Sequence, residues 1–143
     1  MNRRYPNRPW VGIGVVVWRG DRVLLVRRAR PPRQGEWGLP GGAQEIGETI
    51  FEAAIREVRE ETGLAVRPIS VVTAVDGIVR DAEGRAEFHY TLIEVAAESG
   101  AGDPVAASDI DAARWADPEE AMRLVQWDET RRVIAEAMRL RKL

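Results

Sequence analysis

Three glutamates, Glu57, Glu60 and Glu61, fall within the five-residue run "EVREE". On a helix, residues three and four apart are neighbours, so these carboxylates share one face and repel one another. The surrounding stretch, Gly41 to Leu64, holds six of the chain's 23 acidic residues and no lysine. Such a cluster has to be protonated, solvated or neutralised by a cation. Carboxylates without histidine or cysteine nearby form an all-oxygen ligand set, which suits Mg²⁺, Mn²⁺ or Ca²⁺ rather than zinc. Mg²⁺ keeps several waters and takes further ligands from phosphates, so a phosphorylated substrate is expected. Solvation alone is the bland alternative, since Glu-rich helix faces are common. Two features weigh against it. Glu57 and Glu61 form an uncompensated pair at i, i+4, whereas Glu52 and Arg56 read as a matched pair. Directly before the helix lies "LPGG", a turn that lets backbone approach an anion or a metal.

The helix that carries these acids has clear ends. Thr49 and Glu52 have capping-box spacing, and Gly63 stands where a C-terminal glycine belongs. Phe51, Ala54, Ile55, Val58 and Thr62 form the expected core stripe, with the three glutamates on its flank, where a helix lines a cleft. Upstream, "WVGIGVVVWRG" reads as a strand buried on both faces, and Gly20-Asp21 turns it into a second strand, "RVLLVRRA". "RPPRQGE" is a loop, followed by the short segment "WGLPGG". Downstream, "AVRPISVVTAVDGIVR" and "AEFHYTLIEVAAE" read as strands around the turn "DAEGR", and "AARWAD" as a further short strand. Asp117-Pro118-Glu119-Glu120 is a strong helix start. A last amphipathic helix is expected over Asp128–Leu140, with Val133, Ile134, Ala137 and Met138 inward. The order β-β-α-β-β-β-α predicts an α/β fold with a mixed sheet between helices.

Composition narrows the function. The 143 residues, 45% hydrophobic and 31% charged, fit one globular domain, 1–143. Zero cysteines exclude disulfides, thiolate zinc sites and cysteine nucleophiles. A net charge of −2 gives no pull towards nucleic acid. No apolar run approaches the roughly 18 residues of a membrane span. The N-terminus "MNRRYPNRPW" lacks a signal peptide's apolar stretch, so a cytoplasmic location is expected. Lys142 is the sole lysine, and this arginine bias makes any single arginine weaker evidence for phosphate binding.

Gly42, Glu48 and the run Arg56-Glu57-Val58-Arg59-Glu60-Glu61-Thr62-Gly63-Leu64 together resemble the complete signature of the Nudix hydrolases. "RRARPPRQGEWGLPGG" and the Trp115 segment also fit, so the resemblance covers most of the chain. It implies a Nudix-type α/β/α sandwich. It also implies Mg²⁺-dependent hydrolysis, with Mn²⁺ as a substitute, of a phosphoanhydride in a nucleoside diphosphate linked to another moiety. Glu57, Glu60 and Glu61 would be metal ligands, with a main-chain carbonyl at Gly42. Arg56 would hold the carboxylates in place, and Glu48 would join that network or reach metal through water.

The general base stays open between Asp109, six residues before Trp115, and Glu57, with Asp81, Glu83 and Glu87 as weaker loop acids. Asp109 reads equally as a surface residue capping a turn. Arg27, Arg28, Arg30 and Arg33 are candidates for the substrate's phosphates or far moiety. His89 reads as a sheet-packing residue, and Trp37 and Trp115 as core or cleft wall. The window "VRDA" lacks the proline or tyrosine that marks particular subfamilies. The first expected substrate is a nucleotide-type small molecule, ADP-ribose, giving AMP and ribose 5-phosphate. A modified (d)NTP comes second, and a non-catalytic nucleotide-sensing module third. No nucleic-acid or membrane partner is expected, and a homodimer is consistent with the resemblance.

Overall fold

The computed structural model describes residues 2–142. Its elements are β1 (Trp10–Arg19), β2 (Arg22–Arg28), β3 (Trp37–Gly38), β4 (Gly41–Ala43), α1 (Ile50–Thr62), β5 (Val66–Arg80), β6 (Ala86–Ser99), β7 (Ile110–Ala116), α2 (Pro118–Leu124) and α3 (Asp128–Arg141). The strands form one mixed sheet in the order β3-β2-β1-β6-β5, with β4 also on β1 and β7 also on β2. β1 and β6 run parallel, and the other named pairs are antiparallel. The expected elements are all present. "WGLPGG" adds two very short strands, and the helix start at Asp117 opens a separate two-turn helix before α3.

β1 is the central strand. Its residues from Gly12 to Trp18 are buried, as expected for a strand covered on both faces. Alternation sends Ile13, Val15 and Val17 to one side, where they pack with Ala53, Ala54 and Val58 of α1. Val16 and Trp18 go to the other side, with Val133, Ile134 and Ala137 of α3. The result is an α/β/α sandwich. Among the described residues, no helix is long and apolar enough to cross a membrane.

What matters for the site is a fork beside β1. Its N-terminal half pairs with β4, whereas Trp18 and Arg19 pair with β2. The chain therefore crosses from β2's far edge at β3 to β1's edge at β4 through Leu39 and Pro40. Gly41 permits this crossing. A Cβ there would lie 1.9 Å from the Ile13 carbonyl oxygen, so only glycine brings β4 this close to β1.

Candidate active site

α1 brings the acids to the β4 edge. Thr49 caps its start in a full capping box with Glu52, and Gly63 closes it in the left-handed conformation at φ 75°. The core stripe is rotated from the expected one. Ala53, Ala54, Val58, Glu61 and Thr62 are buried, Ile55 is half-buried and Phe51 is exposed. Small alanines let the helix sit close to the sheet, and the rotation carries Glu61 to the core's edge with only 4% exposure. Glu57 is half-buried, and Glu60 is exposed. The three acids thus occupy three different environments on one flank.

Arg56 organises them. Its Nε donates to Glu48 Oε2 at 2.6 Å and its Nη2 to Glu48 Oε1 at 2.9 Å. Nη1 donates to Glu57 Oε1 at 2.8 Å and Glu60 Oε2 at 3.2 Å. Nη2 also reaches the Ala43 carbonyl at 3.0 Å, which ties the helix to β4. The expected Glu52–Arg56 pairing does not form; the Glu52 carboxylate instead accepts from the Thr49 N–H in the cap. Hydrogen bonding to Arg56 holds Glu48 below the usual carboxylate range.

Glu61 lies outside Arg56's reach and accepts from the Gly41 N–H at 3.0 Å. Burial pushes its carboxyl up to about 8. The Gly41 bond and Arg28 oppose that rise, whereas Glu57 and Asp109 add to it. Burial also raises Glu57, against the pull of Arg56. Two desolvated carboxylates, Glu61 raised further by Glu57 and Glu57 by Glu60, are what a bound cation would relieve.

The Gly42 expectation is corrected. Val15 N–H donates to the Pro40 carbonyl at 2.9 Å and Gln44 N–H to the Val11 carbonyl at 3.0 Å. Ladder alternation between these two bonds turns Gly42's own N–H and C=O towards Ile13, its register partner. The backbone groups facing the acids belong to its neighbours, Gly41 and Ala43. Gly42 contributes its missing side chain, since a Cβ there would come within 2.5 Å of Glu57 Oε1.

The loop before β7 is fastened to α1 and β2. Ala107 N–H donates to the Glu61 carbonyl at 2.9 Å, and Ala29 N–H to the Asp109 carbonyl at 2.8 Å. Asp109 pairs with Arg30 at 2.9 Å, both exposed, and its charge is felt at Glu61. Arg28 donates to the Pro32 carbonyl at 2.7 Å while acting electrostatically on Glu61. Arg27 bonds Asp111 at 2.6 Å and stacks on Trp37, and Arg33 stacks on Trp127 at 4.1 Å. Thus Arg28 and Asp109 are brought to the acidic cluster, whereas Arg27 and Arg33 are engaged on tryptophans. His89 lies mid-strand opposite Ile78. Two groups escaped the sequence reading. Arg3, from the N-terminal arm, acts on Glu57 electrostatically, and Glu94 is a buried acid inside β6. The second had a signal, an acid in the midst of "TLIEVAA".

Among the described residues, no three acidic or histidine side chains converge on a common point. Locally, Arg56 Nη1 sits between the Glu57 and Glu60 carboxylates and bonds both, and the Gly41 N–H holds Glu61. The donor set nevertheless fits a hard divalent cation. It is all oxygen, the carboxylates of Glu48, Glu57 and Glu60 share one guanidinium, and Gly42 leaves space for the Glu57 carboxylate.

Fold and site define a mixed-sheet α/β/α protein with a carboxylate-rich helix facing a glycine-bearing strand edge. The chain belongs to the NUDIX family, whose domain model matches residues 8–137. It is similar to an ADP-ribose pyrophosphatase of Methanocaldococcus jannaschii, 34% identical over 96 residues that cover 66% of this chain and 57% of that protein. A crystal structure of a MutT NUDIX hydrolase from Burkholderia pseudomallei superposes with a TM-score of 0.74 at 28% identity, covering 91% of this chain and 98% of that one. The NUDIX domain of Shewanella oneidensis NrtR, complexed with ADP ribose, superposes with a TM-score of 0.73 at 20% identity, covering 96% and 91%. That last likeness concerns the fold. The chain spans little more than half the length of the M. jannaschii protein. The family generally uses a divalent metal.

Proposed function

We propose that this protein is a Mg²⁺-dependent hydrolase that cleaves a phosphoanhydride in a nucleoside diphosphate linked to a further moiety, with ADP-ribose as the first substrate. The observation that carries this reading is Glu61, a buried carboxylate whose one hydrogen bond among the described residues comes from the Gly41 N–H, with its carboxyl pushed up to about 8 by burial and by Glu57. The M. jannaschii relative supports the choice of substrate.

Glu57, Glu60 and Glu61 would hold the metal, and the outward-facing backbone at Gly41 would supply the main-chain carbonyl that Gly42 turns to β1. When bound, the cation neutralises the diphosphate and acidifies water. The chain's own groups do the rest. Arg56 orients Glu57 and Glu60 by hydrogen bonds and keeps Glu48 ionised. Arg28, whose charge acts on Glu61, would meet a phosphate oxygen. Asp109, on the loop fastened to the Glu61 backbone, is the candidate to accept the proton of the attacking water, with Glu57 as the competing base.

The test is a hydrolysis screen in about 5 mM Mg²⁺, enough to saturate a weak carboxylate site. The panel spans ADP-ribose, nucleotide sugars, NADH, dinucleoside polyphosphates and normal and oxidised dNTPs. The Glu61→Gln protein runs alongside. Turnover of ADP-ribose that falls about 10²–10³-fold in Glu61→Gln, with the melting temperature retained, is expected. Equal turnover by the two proteins would overturn the assignment, and a hit confined to oxidised dNTPs would overturn the substrate.

A further inference from the structure

Glu94 sits in the middle of β6 on the sheet face opposite α1, sharing that face with Leu92 two residues away. It is 6% exposed, and its Oε2 is buried with no hydrogen-bond partner among the described residues. Burial raises its carboxyl, to about 7, with no cation or donor among the described residues opposing it. Folded proteins keep buried polar groups paired, so an unpaired carboxylate calls for a partner from outside the chain.

The backbone makes room for it. A Cβ at Gly14 would come within 2.1 Å of Glu94 Oε2, so the carboxylate lies flat across β1. Gly41, Gly14 and Glu94 form one row across β4, β1 and β6. The Gly41 N–H holds Glu61 on the α1 side. Glu94 is therefore directed along this row towards the fork beside β1, from a strand roughly two strand spacings, or about 10 Å, from β4, the strand that faces the acids of α1. Half-buried Trp37, Leu39, Leu92 and Trp127 pack around the core on the same face. Aromatic and aliphatic walls with one carboxyl suit a flat heterocycle bearing N–H donors. They do not suit another phosphate, which the carboxylate would repel.

We propose that Glu94 is a specificity-determining residue whose carboxyl accepts hydrogen bonds from the exocyclic amino group of the substrate's nucleobase. This rests on the nucleotide reading above. It makes the acidic helix responsible for the phosphates and the opposite face of the sheet for the base, the two meeting at the fork.

Inosine lacks the amino group of both adenosine and guanosine, so IDP is the common control. Binding of ADP, GDP and IDP is measured by calorimetry in Mg²⁺ on the wild type and on Glu94→Leu and Glu94→Gln. The wild type is expected to favour ADP or GDP over IDP by about tenfold, as for loss of one well-made hydrogen bond. Glu94→Leu should bring that ratio within about twofold and raise the melting temperature. Glu94→Gln, which keeps an acceptor oxygen, should retain part of the preference. The inference is overturned if the wild type discriminates less than twofold or binds none of the three. It is equally overturned if Glu94→Leu shifts the melting temperature and leaves the ratio intact. Turnover is read separately. Hydrolysis without base discrimination sinks only this inference, and discriminated binding without hydrolysis sinks only the catalytic one.

Discussion

Arg56 is the residue on which most of the site's geometry depends. One planar guanidinium serves Glu48 twice, Glu57, Glu60 and the Ala43 carbonyl. A lysine at this position carries the same charge but presents it as a point, without the fork that spans two carboxylates at once. Arg56→Lys is therefore expected to keep the fold while losing turnover by about tenfold or more, since misplaced ligands are costly to catalysis. Arg56→Ala leaves part-buried carboxylates without a partner and should lower stability by about 2 kcal/mol, the scale for losing charged hydrogen bonds. Urea denaturation of the two variants separates these effects. Equal stability of wild type and Arg56→Ala would show that solvent already satisfies the cluster.

A helix cap and a glycine-dependent strand crossing set how the elements meet, and their roles separate cleanly. The Thr49–Glu52 box starts α1 at the end away from Glu60 and Glu61, and adjoins the cluster only through the preceding Glu48. Thr49→Ala should cost about 1 kcal/mol of stability, typical of a lost N-cap. Its turnover should stay within about twofold. Gly41 instead sets how closely β4 lies against β1 and where Glu61's donor points. Gly41→Ala has to spread those strands, because the new Cβ would meet backbone rather than a mobile side chain. That variant should lose turnover by at least as much as Glu61→Gln. Thermal melts and rates on both proteins check the contrast. A fully active Gly41→Ala would show that the β4 edge does not position the acid.

At the scale of the whole molecule, the buried acids link stability to pH and metal. Glu61 has a folded value of about 8 against an ordinary 4.5, and Glu57 shifts the same way. Between those values the folded state binds the proton more tightly than the unfolded chain does. The stabilisation is complete below about 4.5, declines as pH rises and is gone above about 8. In EDTA, the melting temperature should therefore fall from pH 5 to pH 8, and Glu61→Gln should flatten that slope. Mg²⁺ competes with the proton for the same oxygens, so its stabilising effect should grow with pH. At a hundred times its dissociation constant it would add about 2.7 kcal/mol, or roughly 5–10 °C for a domain of this size. A metal effect independent of pH would place the cation elsewhere.

Much of this was legible in the chain because it rests on local chemistry. The spacing of Glu57, Glu60 and Glu61, the cap at Thr49, the glycine stop at Gly63 and the apolar run of β1 each express a period or a turn that neighbouring residues dictate. The family signature added the fold and the expectation of a divalent metal. The rest depended on what lies across the sheet. Helix periodicity alone favoured Phe51 for the core, but the alanines' close approach to the sheet rotated α1 and buried Glu61 instead. Gly42 carries the signature, yet ladder alternation, a property of the β1–β4 pairing, turned its carbonyl away from the acids. Glu94 was one acid in an apolar strand until the register laid it over Gly14, in the row that ends at Gly41. Sequence by itself determined which groups could do chemistry, because residue type and short spacing set charge and helix face. Only the tertiary structure decided which of them are desolvated and which backbone atoms they meet, because burial and strand pairing are made by residues far apart in the chain.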